Sequence, residues 1–290
     1  KKMSMYSKII AGCMSWGAWG RQFSTQEMIS QIKITLESGI TTFDHADIYG
    51  EYTTEQEFGK ALSNSGVERD KIQLISKCGI QHDGGTRDNK IKHYNYSKEY
   101  IIWSVEKSLK DLQTDYLDLL LLHRPSPLMH PAEVAAAVSI LKETGKIIDF
   151  GVSNFTPSQF NLIDHTASIS VNQIEFSLTQ HSAMHNGTLD QLLQKEVIPM
   201  SWSPLGSYFK EINAANKRIK KVLDVLTKKY NATEDQLLLA WILQHPSGVL
   251  PVVGTTSKFR LENATKAIDI SLELEDWFTL LVECQGHKVP

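Results

Sequence analysis

Short apolar runs alternate along this chain with longer stretches of helical period. The runs are a first one near Ile9-Ile10, then Thr42-Phe43, Ile72 to Ser76, Leu117 to Leu122, Ile147 to Val152, Ile169 to Asn172, Ile198 to Trp202 and Val249 to Val253. Several are apolar without alternation, the pattern of strands covered on both faces. Between them lie helix signals. Ser24/Thr25, with Glu27 early in the first turn, opens a helix that runs to Ser38 before Gly39 stops it. Thr53/Thr54 opens the next. Ser97-Lys98-Glu99 starts a strongly periodic helix through Ile101, Val105, Leu109 and Leu112. Pro131 opens another that ends near Gly145, and Thr156-Pro157 is an N-cap followed by proline at the first helical position. Strand follows strand at about 30 residues or a little more, the length of a βα unit. Eight such units with no break in composition predict the α/β class and one closed (β/α)8 barrel domain over residues 1–290, ending in a C-terminal helix.

Two stretches are too long for a minimal unit. One is Gln81 to Tyr96, rich in Gly, Asp, Asn and Lys; the other follows Leu205, through Phe209 and Asn213. Both come after strands and so overhang the barrel mouth, where long loops shape a substrate site. For 81–96 an insertion without a role is an open alternative.

Composition removes other classes. The formal net charge is -3 over 290 residues, which predicts no nucleic acid or other polyanion as partner. No run approaches the length of a membrane-spanning helix, and the basic start, Lys1 to Lys8, lacks the apolar stretch of a signal peptide. The three cysteines, Cys13, Cys78 and Cys284, are too few and too scattered for a disulfide framework or a zinc site. Cys78 adjoins Lys77 and reads either as a reactive thiol or as a small buried apolar side chain. A reduced cytoplasmic setting and a monomer or weak homo-oligomer are expected. The chain lacks GxGxxG, the P-loop pattern, HExxH and any Cys/His cluster, so a Rossmann domain and a metal site have no support.

The polar residues at the strand ends carry the chemistry. Asp44 and Tyr49 follow Thr41-Thr42-Phe43, Lys77 ends the third run, and His123 follows Leu119-Leu120-Leu121-Leu122. In a barrel these ends share one face, the face where barrel enzymes do chemistry. Singly each has an ordinary structural explanation; together they suit protonation of an oxygen on which charge develops. A tyrosine titrates near 10 in water and is a poor acid at neutral pH. An ammonium at about 4 Å contributes roughly 4 kcal/mol at an effective dielectric of about 20, and lowering the phenol by about two units needs only about 2.7 kcal/mol. Lys77 is therefore expected to lower the Tyr49 pKa, Asp44 to keep Lys77 charged, and a neutral His123 to donate a hydrogen bond to a substrate carbonyl.

At these residues the chain resembles the aldo/keto reductase superfamily, in look nearest to its small bacterial NADPH-dependent members. The resemblance rests on ordered motifs: Gly12-Cys13-Met14-Ser15-Trp16-Gly17, Phe43 to Gly50, Ser76-Lys77, Leu122-His123-Arg124-Pro125, Gly151 to Phe155, Asn172-Gln173-Ile174-Glu175, Ser201 to Gly206, Pro251 to Thr256 and Arg260-Leu261-Glu262-Asn263. It implies a TIM barrel that binds NADPH extended, without a Rossmann domain, and reduces a small aldehyde or ketone. It makes Tyr49 the general acid, Lys77 and Asp44 its tuning pair, and His123 the group that orients the carbonyl. It assigns Ser153, Asn154 and Gln173 to the carboxamide and Trp202 to the nicotinamide face. Ser15 and Trp16 are further cofactor contacts. Ser203, Pro204, Leu205, Gly206 and Gly254 follow the last two strands, where barrels hold phosphate. Thr255, Thr256 and Arg260 fall to the adenosine 2′-phosphate with Lys258 assisting, and Asn263 to the adenine. Lys258 as a solvated helix residue stays open. The family pattern often has aromatics near the first strand and after the lysine. Here Trp16 and Trp19 supply the first group, and Gly79-Ile80 leave the second side roomier. The alternative is a nucleotide-binding regulatory subunit on the same scaffold, similar to potassium-channel β subunits.

Overall fold

The computed structural model describes residues 5–84 and 86–290. Residues 1–4 of the basic start and Gly85 of the 81–96 loop lie outside the described residues. Among the described residues, the strands are β1 (Ile10–Gly12), β2 (Thr42–Asp44), β3 (Gln73–Cys78), β4 (Ile80–Gln81), β5 (His93–Tyr94), β6 (Leu117–Leu122), β7 (Ile147–Ser153), β8 (Val171–Glu175), β9 (Ile198–Trp202) and β10 (Leu250–Val253). Eight of them close a parallel barrel in the order β1-β10-β9-β8-β7-β6-β3-β2, and β4-β5 is a separate antiparallel hairpin. The helices are α1 (Thr25–Glu37), α2 (Tyr49–Tyr52), α3 (Thr54–Ser65), α4 (Lys98–Leu112), α5 (Pro131–Glu143), α6 (Pro157–Asp164), α7 (Thr188–Gln194), α8 (Ala214–Lys229), α9 (Glu234–Leu243), α10 (Lys258–Lys266) and α11 (Leu274–Gln285).

Local chemistry explains the helix starts. Ser24 and Thr156 close capping boxes with Glu27 and Gln159, and Pro157 occupies the first turn of α6. At α9 the Gln236 side chain accepts from the Thr233 backbone N–H at 2.9 Å. The unit after β9 therefore holds two helices, α8 and α9, where the barrel repeat predicts one. The sixth run also shifts. The expected strand at Ile169 to Asn172 is observed as Val171–Glu175. Ile169 instead donates its backbone N–H to Asp164 Oδ1 at 3.0 Å. The later residues Asn172, Gln173 and Glu175 are polar, so a hydropathy reading ends the strand too soon.

The core divides into two shells. Ile10, Ile75, Leu119, Leu121, Val171, Met200, Leu250 and Val252 fill the barrel interior. Their neighbours in sequence, among them Leu74, Leu120, Leu122 and Val253, pack outward against the helices. Gly151 belongs to the interior layer, where a Cβ would lie 2.5 Å from Val171 O and 2.8 Å from Leu121 Cδ2. The interior is thus filled, and chemistry is confined to its end. No helix of the described residues is long and apolar enough to cross a membrane.

Candidate active site

Strand alternation places the site. In β3, Ile75 points into the barrel, so Lys77, two residues on, points the same way at the strand's end. The same step carries Leu121 to His123, Gly151 to Ser153, Val171 to Gln173 and Met200 to Trp202. Asp44 ends β2, whose Phe43 faces the helices. Four polar side chains are thereby gathered at the C-terminal mouth from β2, β3, β6 and the loop after β2.

Their contacts are short. Lys77 Nζ donates to Asp44 Oδ2 at 2.7 Å, to His45 O at 2.9 Å and to Tyr49 Oη at 3.0 Å. Asp44 Oδ1 accepts from Gln173 Nε2 at 2.9 Å. The Tyr49 loop is tied down by backbone bonds: His45 N to Ile75 O at 2.8 Å and Asp47 N to Lys77 O at 3.0 Å. His123 meets the Tyr49 ring edge-on, with centroids 6.2 Å apart. Lys77 and Asp44 are buried to 1% and 2% exposure, so this is a charge pair that each partner must keep satisfied.

Burial reverses one expectation. It pushes the Tyr49 phenol up to about 12, against the lowering effect of the Lys77 ammonium. Desolvation outweighs one neighbouring charge, so the phenol holds its proton at neutral pH. Burial works against the charge on Lys77, but Asp44 and Tyr49 overcome it and hold the amine above its ordinary range. Burial, then the charges of Lys77, Arg124 and Lys92, hold His123 well below its ordinary range, so its imidazole is neutral. Burial pushes the Cys78 thiol well up, so of the two readings the inert buried side chain applies.

A cavity of about 910 Å³ opens over this cluster and extends to α10. Asp44, Tyr49, His123, Ser15, Ser153, Asn154, Gln173, Trp202, Ser203, Pro204, Leu205, Gly206, Gly254, Thr255, Arg260 and Asn263 line it. Asn154 has φ 61° and Ser203 φ 48°, left-handed backbone that turns each chain end toward the cavity. At Gly206 (φ 55°) a Cβ would lie 1.9 Å from Thr179 Oγ1, so only glycine fits that turn. Asn154 commits its amide within the protein: Trp202 Nε1 donates to Oδ1 at 2.8 Å, and Nδ2 donates to Ser153 Oγ at 3.1 Å.

Three expected cofactor contacts stand apart from this cavity. Trp16 is 1% exposed and packs against Phe23, Phe43 and Phe58 in the outer core, so it is corrected to a packing residue. Trp19, at the rim, is the aromatic that approaches Tyr49, at 6.2 Å between centroids. Lys258 pairs with Glu37 at 3.2 Å, and neither it nor Thr256 is a lining residue. Conversely, the cavity wall includes Thr233, Asp235 and Leu239 of the α9 region, which the strand-end reading missed. The Thr233-x-x-Gln236 spacing is the sequence signal that could have found that helix. The hairpin inside 81–96 was also unforeseen; its Tyr94 packs on Ala46, Ile48, Tyr49, Tyr52 and Ile80.

Behind the cluster, two acids are buried between the barrel and α3–α4. Glu55 accepts from Ser76 Oγ at 2.7 Å and Ser108 Oγ at 2.8 Å, and burial, reinforced by Asp47, pushes it up to about 7. Burial pushes Asp47 up to about 6, moderated by Arg87 and the Ser104 hydroxyl. The folded chain thus holds these protons longer than the unfolded chain. Their contribution to stability is largest at low pH and falls as pH rises from the ordinary carboxylate range through the folded values. For Glu55 the difference is on the order of 3 kcal/mol. Glu55→Gln is expected to be more stable relative to wild type at pH 8 than at pH 5 by about that amount in urea denaturation; an unchanged difference refutes the buried-acid account.

A parallel barrel with its polar groups gathered at the strand ends, beside a long cavity, has the architecture of a TIM-barrel enzyme rather than of a Rossmann one. The chain belongs to the aldo/keto reductase family, whose sequence profile it matches over residues 8–281. It is 40% identical to the oxidoreductase YcsN of Bacillus subtilis over 98% of this chain and 96% of that protein. It is 37% identical to the 6-dehydroglucose reductase of Agrobacterium fabrum over 100% and 99%. Among solved structures, an aldo/keto reductase from Klebsiella pneumoniae in complex with NADP and acetate superposes with a TM-score of 0.78 at 26% identity, covering 95% of this chain and 90% of that one. Among the described residues, no group of three or more His, Cys, Asp or Glu is placed to hold a metal ion.

Proposed function

We propose that this protein reduces aldehydes or ketones to alcohols, with NADPH as the reductant and Tyr49 as the general acid. The observation that carries the reading is Lys77 Nζ, at 3.0 Å from the Tyr49 phenol and 2.7 Å from the Asp44 carboxylate, at the cavity's edge.

The cavity suits the nucleotide at both ends. At one end, Gln173 has its amide nitrogen committed to Asp44, which leaves its carbonyl oxygen to accept from a carboxamide. At the other, the Arg260 guanidinium lines the wall at the N-terminus of α10, with no ion-pair or hydrogen-bond partner among the described residues. A phosphate supplies the counter-charge, from the protein side through a fork of N–H donors. The bound reduced nicotinamide supplies the hydride. The chain's own groups do the rest. Neutral His123 and the Tyr49 hydroxyl donate to the carbonyl oxygen. Tyr49 gives up its proton as negative charge grows on that oxygen, and the Lys77 ammonium, kept charged by Asp44, stabilises the phenolate left behind.

The direct test is loss of NADPH absorbance with a panel of small aldehydes, and saturable turnover is expected. Nucleotide binding without turnover of any carbonyl compound would favour the regulatory-subunit reading. Arg260→Ala is expected to weaken NADPH binding by at least about tenfold while changing NADH binding little. Equal losses for the two nucleotides, measured by quenching of tryptophan fluorescence, refute the 2′-phosphate assignment.

A further inference from the structure

The mouth carries positive charge that neither the proton transfer nor the phosphate end uses. Arg124 follows His123 at the end of β6 and lines the cavity. Its backbone is anchored on both sides by Tyr96: Oη donates to Arg124 O at 2.5 Å and accepts from Arg124 N at 3.2 Å. Its side chain is exposed and makes no hydrogen bond or ion pair among the described residues. Lys92 immediately precedes β5, in the hairpin that packs over the Tyr49 loop. It too is exposed and has no partner among the described residues. Both charges are close enough to the His123 ring to act on its protonation.

Arg124 on the cavity wall, with Lys92 on the neighbouring hairpin, adds positive charge without a counter-ion and raises the local affinity for an anion. The anion they attract is not the one at Arg260. In the ring of eight strands β6 and β10 are fourth neighbours, the largest separation the barrel allows, so Arg124 and the α10 site face each other across the mouth. Arg124 follows His123 directly, so its charge lies on the His123 side of the mouth, and His123 meets the Tyr49 ring at 6.2 Å between centroids.

We propose that Arg124 and Lys92 form a receptor for an anionic group of the substrate. The preferred carbonyl compounds then carry a carboxylate, phosphate or sulfonate besides the carbonyl. The carbonyl reaches Tyr49 and His123 while the anion rests on the guanidinium and ammonium. This inference rests on the reductase reading for the position of the carbonyl, but not for the existence of the anion site.

The test compares 4-carboxybenzaldehyde with its methyl ester in wild type, Arg124→Ala, Arg124→Lys and Lys92→Ala/Arg124→Ala. The ratio of kcat/KM for acid over ester is expected to fall about tenfold or more in Arg124→Ala, mainly through KM. It should fall further in the double variant and be partly restored by lysine. Calorimetric titration of 4-(hydroxymethyl)benzoate and its methyl ester into the NADP-saturated protein reads the same site without turnover. Selective loss of the acid's affinity in Arg124→Ala supports the receptor, even if no aldehyde is reduced and the reductase reading fails. An unchanged acid-to-ester ratio in both measurements, or equal losses for acid and ester, overturns it.

Discussion

Replacing Tyr49 with phenylalanine is expected to lower carbonyl reduction about 10²- to 10⁴-fold, the usual contribution of a positioned general acid. NADPH binding should change little. The substitution removes one oxygen and keeps the ring that packs against Trp19, His123 and the loop residues Ala46, Ile48 and Tyr52. The physical argument differs from a simple lowering of the phenol pKa. In the free protein burial holds the phenol near 12, so it begins protonated. Lys77 acts later, when the proton has moved and a phenolate would otherwise stand uncompensated in a dry site. Turnover by Tyr49→Phe at more than about a tenth of the wild-type rate, in a spectrophotometric assay with saturating aldehyde, rejects the acid role.

Lys77→Met should affect both catalysis and stability. It removes the ammonium that faces the phenol, so turnover falls with it. It also leaves Asp44 buried with only Gln173 at 2.9 Å and the Tyr49 hydroxyl at 3.5 Å. Breaking a buried charge pair by deleting one partner costs about 3–5 kcal/mol. Adding Asp44→Asn to Lys77→Met removes the orphaned charge, so the double variant should recover part of the stability but none of the activity. Equilibrium denaturation of both variants checks this. A double variant less stable than Lys77→Met alone contradicts the account of the pair.

Much of this arrangement was legible before folding. Asp44, Lys77 and His123 stood out because each is an ionisable residue at the end of an apolar run. The capping signals at Ser24 and Thr156 marked helix starts by the same elementary chemistry. Other features were hidden because they depend on what faces what. Trp16 lies in a cofactor-type motif yet turns into the outer core, because Phe43 and Phe58 form a cage for it there. Lys92 lies far from His123 in sequence, and its charge acts on the imidazole only because the chain around it folds back as a β4–β5 hairpin.

The chain order of strands and helices, and the polar residues that terminate the strands, are properties of the sequence itself. They follow from hydropathy and turn chemistry that act over a few residues. Which face of each strand points inward was not. In Leu117 to Leu122 nearly every position is apolar, since both faces are covered, so alternation leaves no mark. Only closure of the ring selects Leu119, Leu121 and then His123 as the inward series. The direction of the Tyr49 shift was undetermined for the same reason: desolvation scales with burial, and burial exists only once the helices and loops have closed around the barrel.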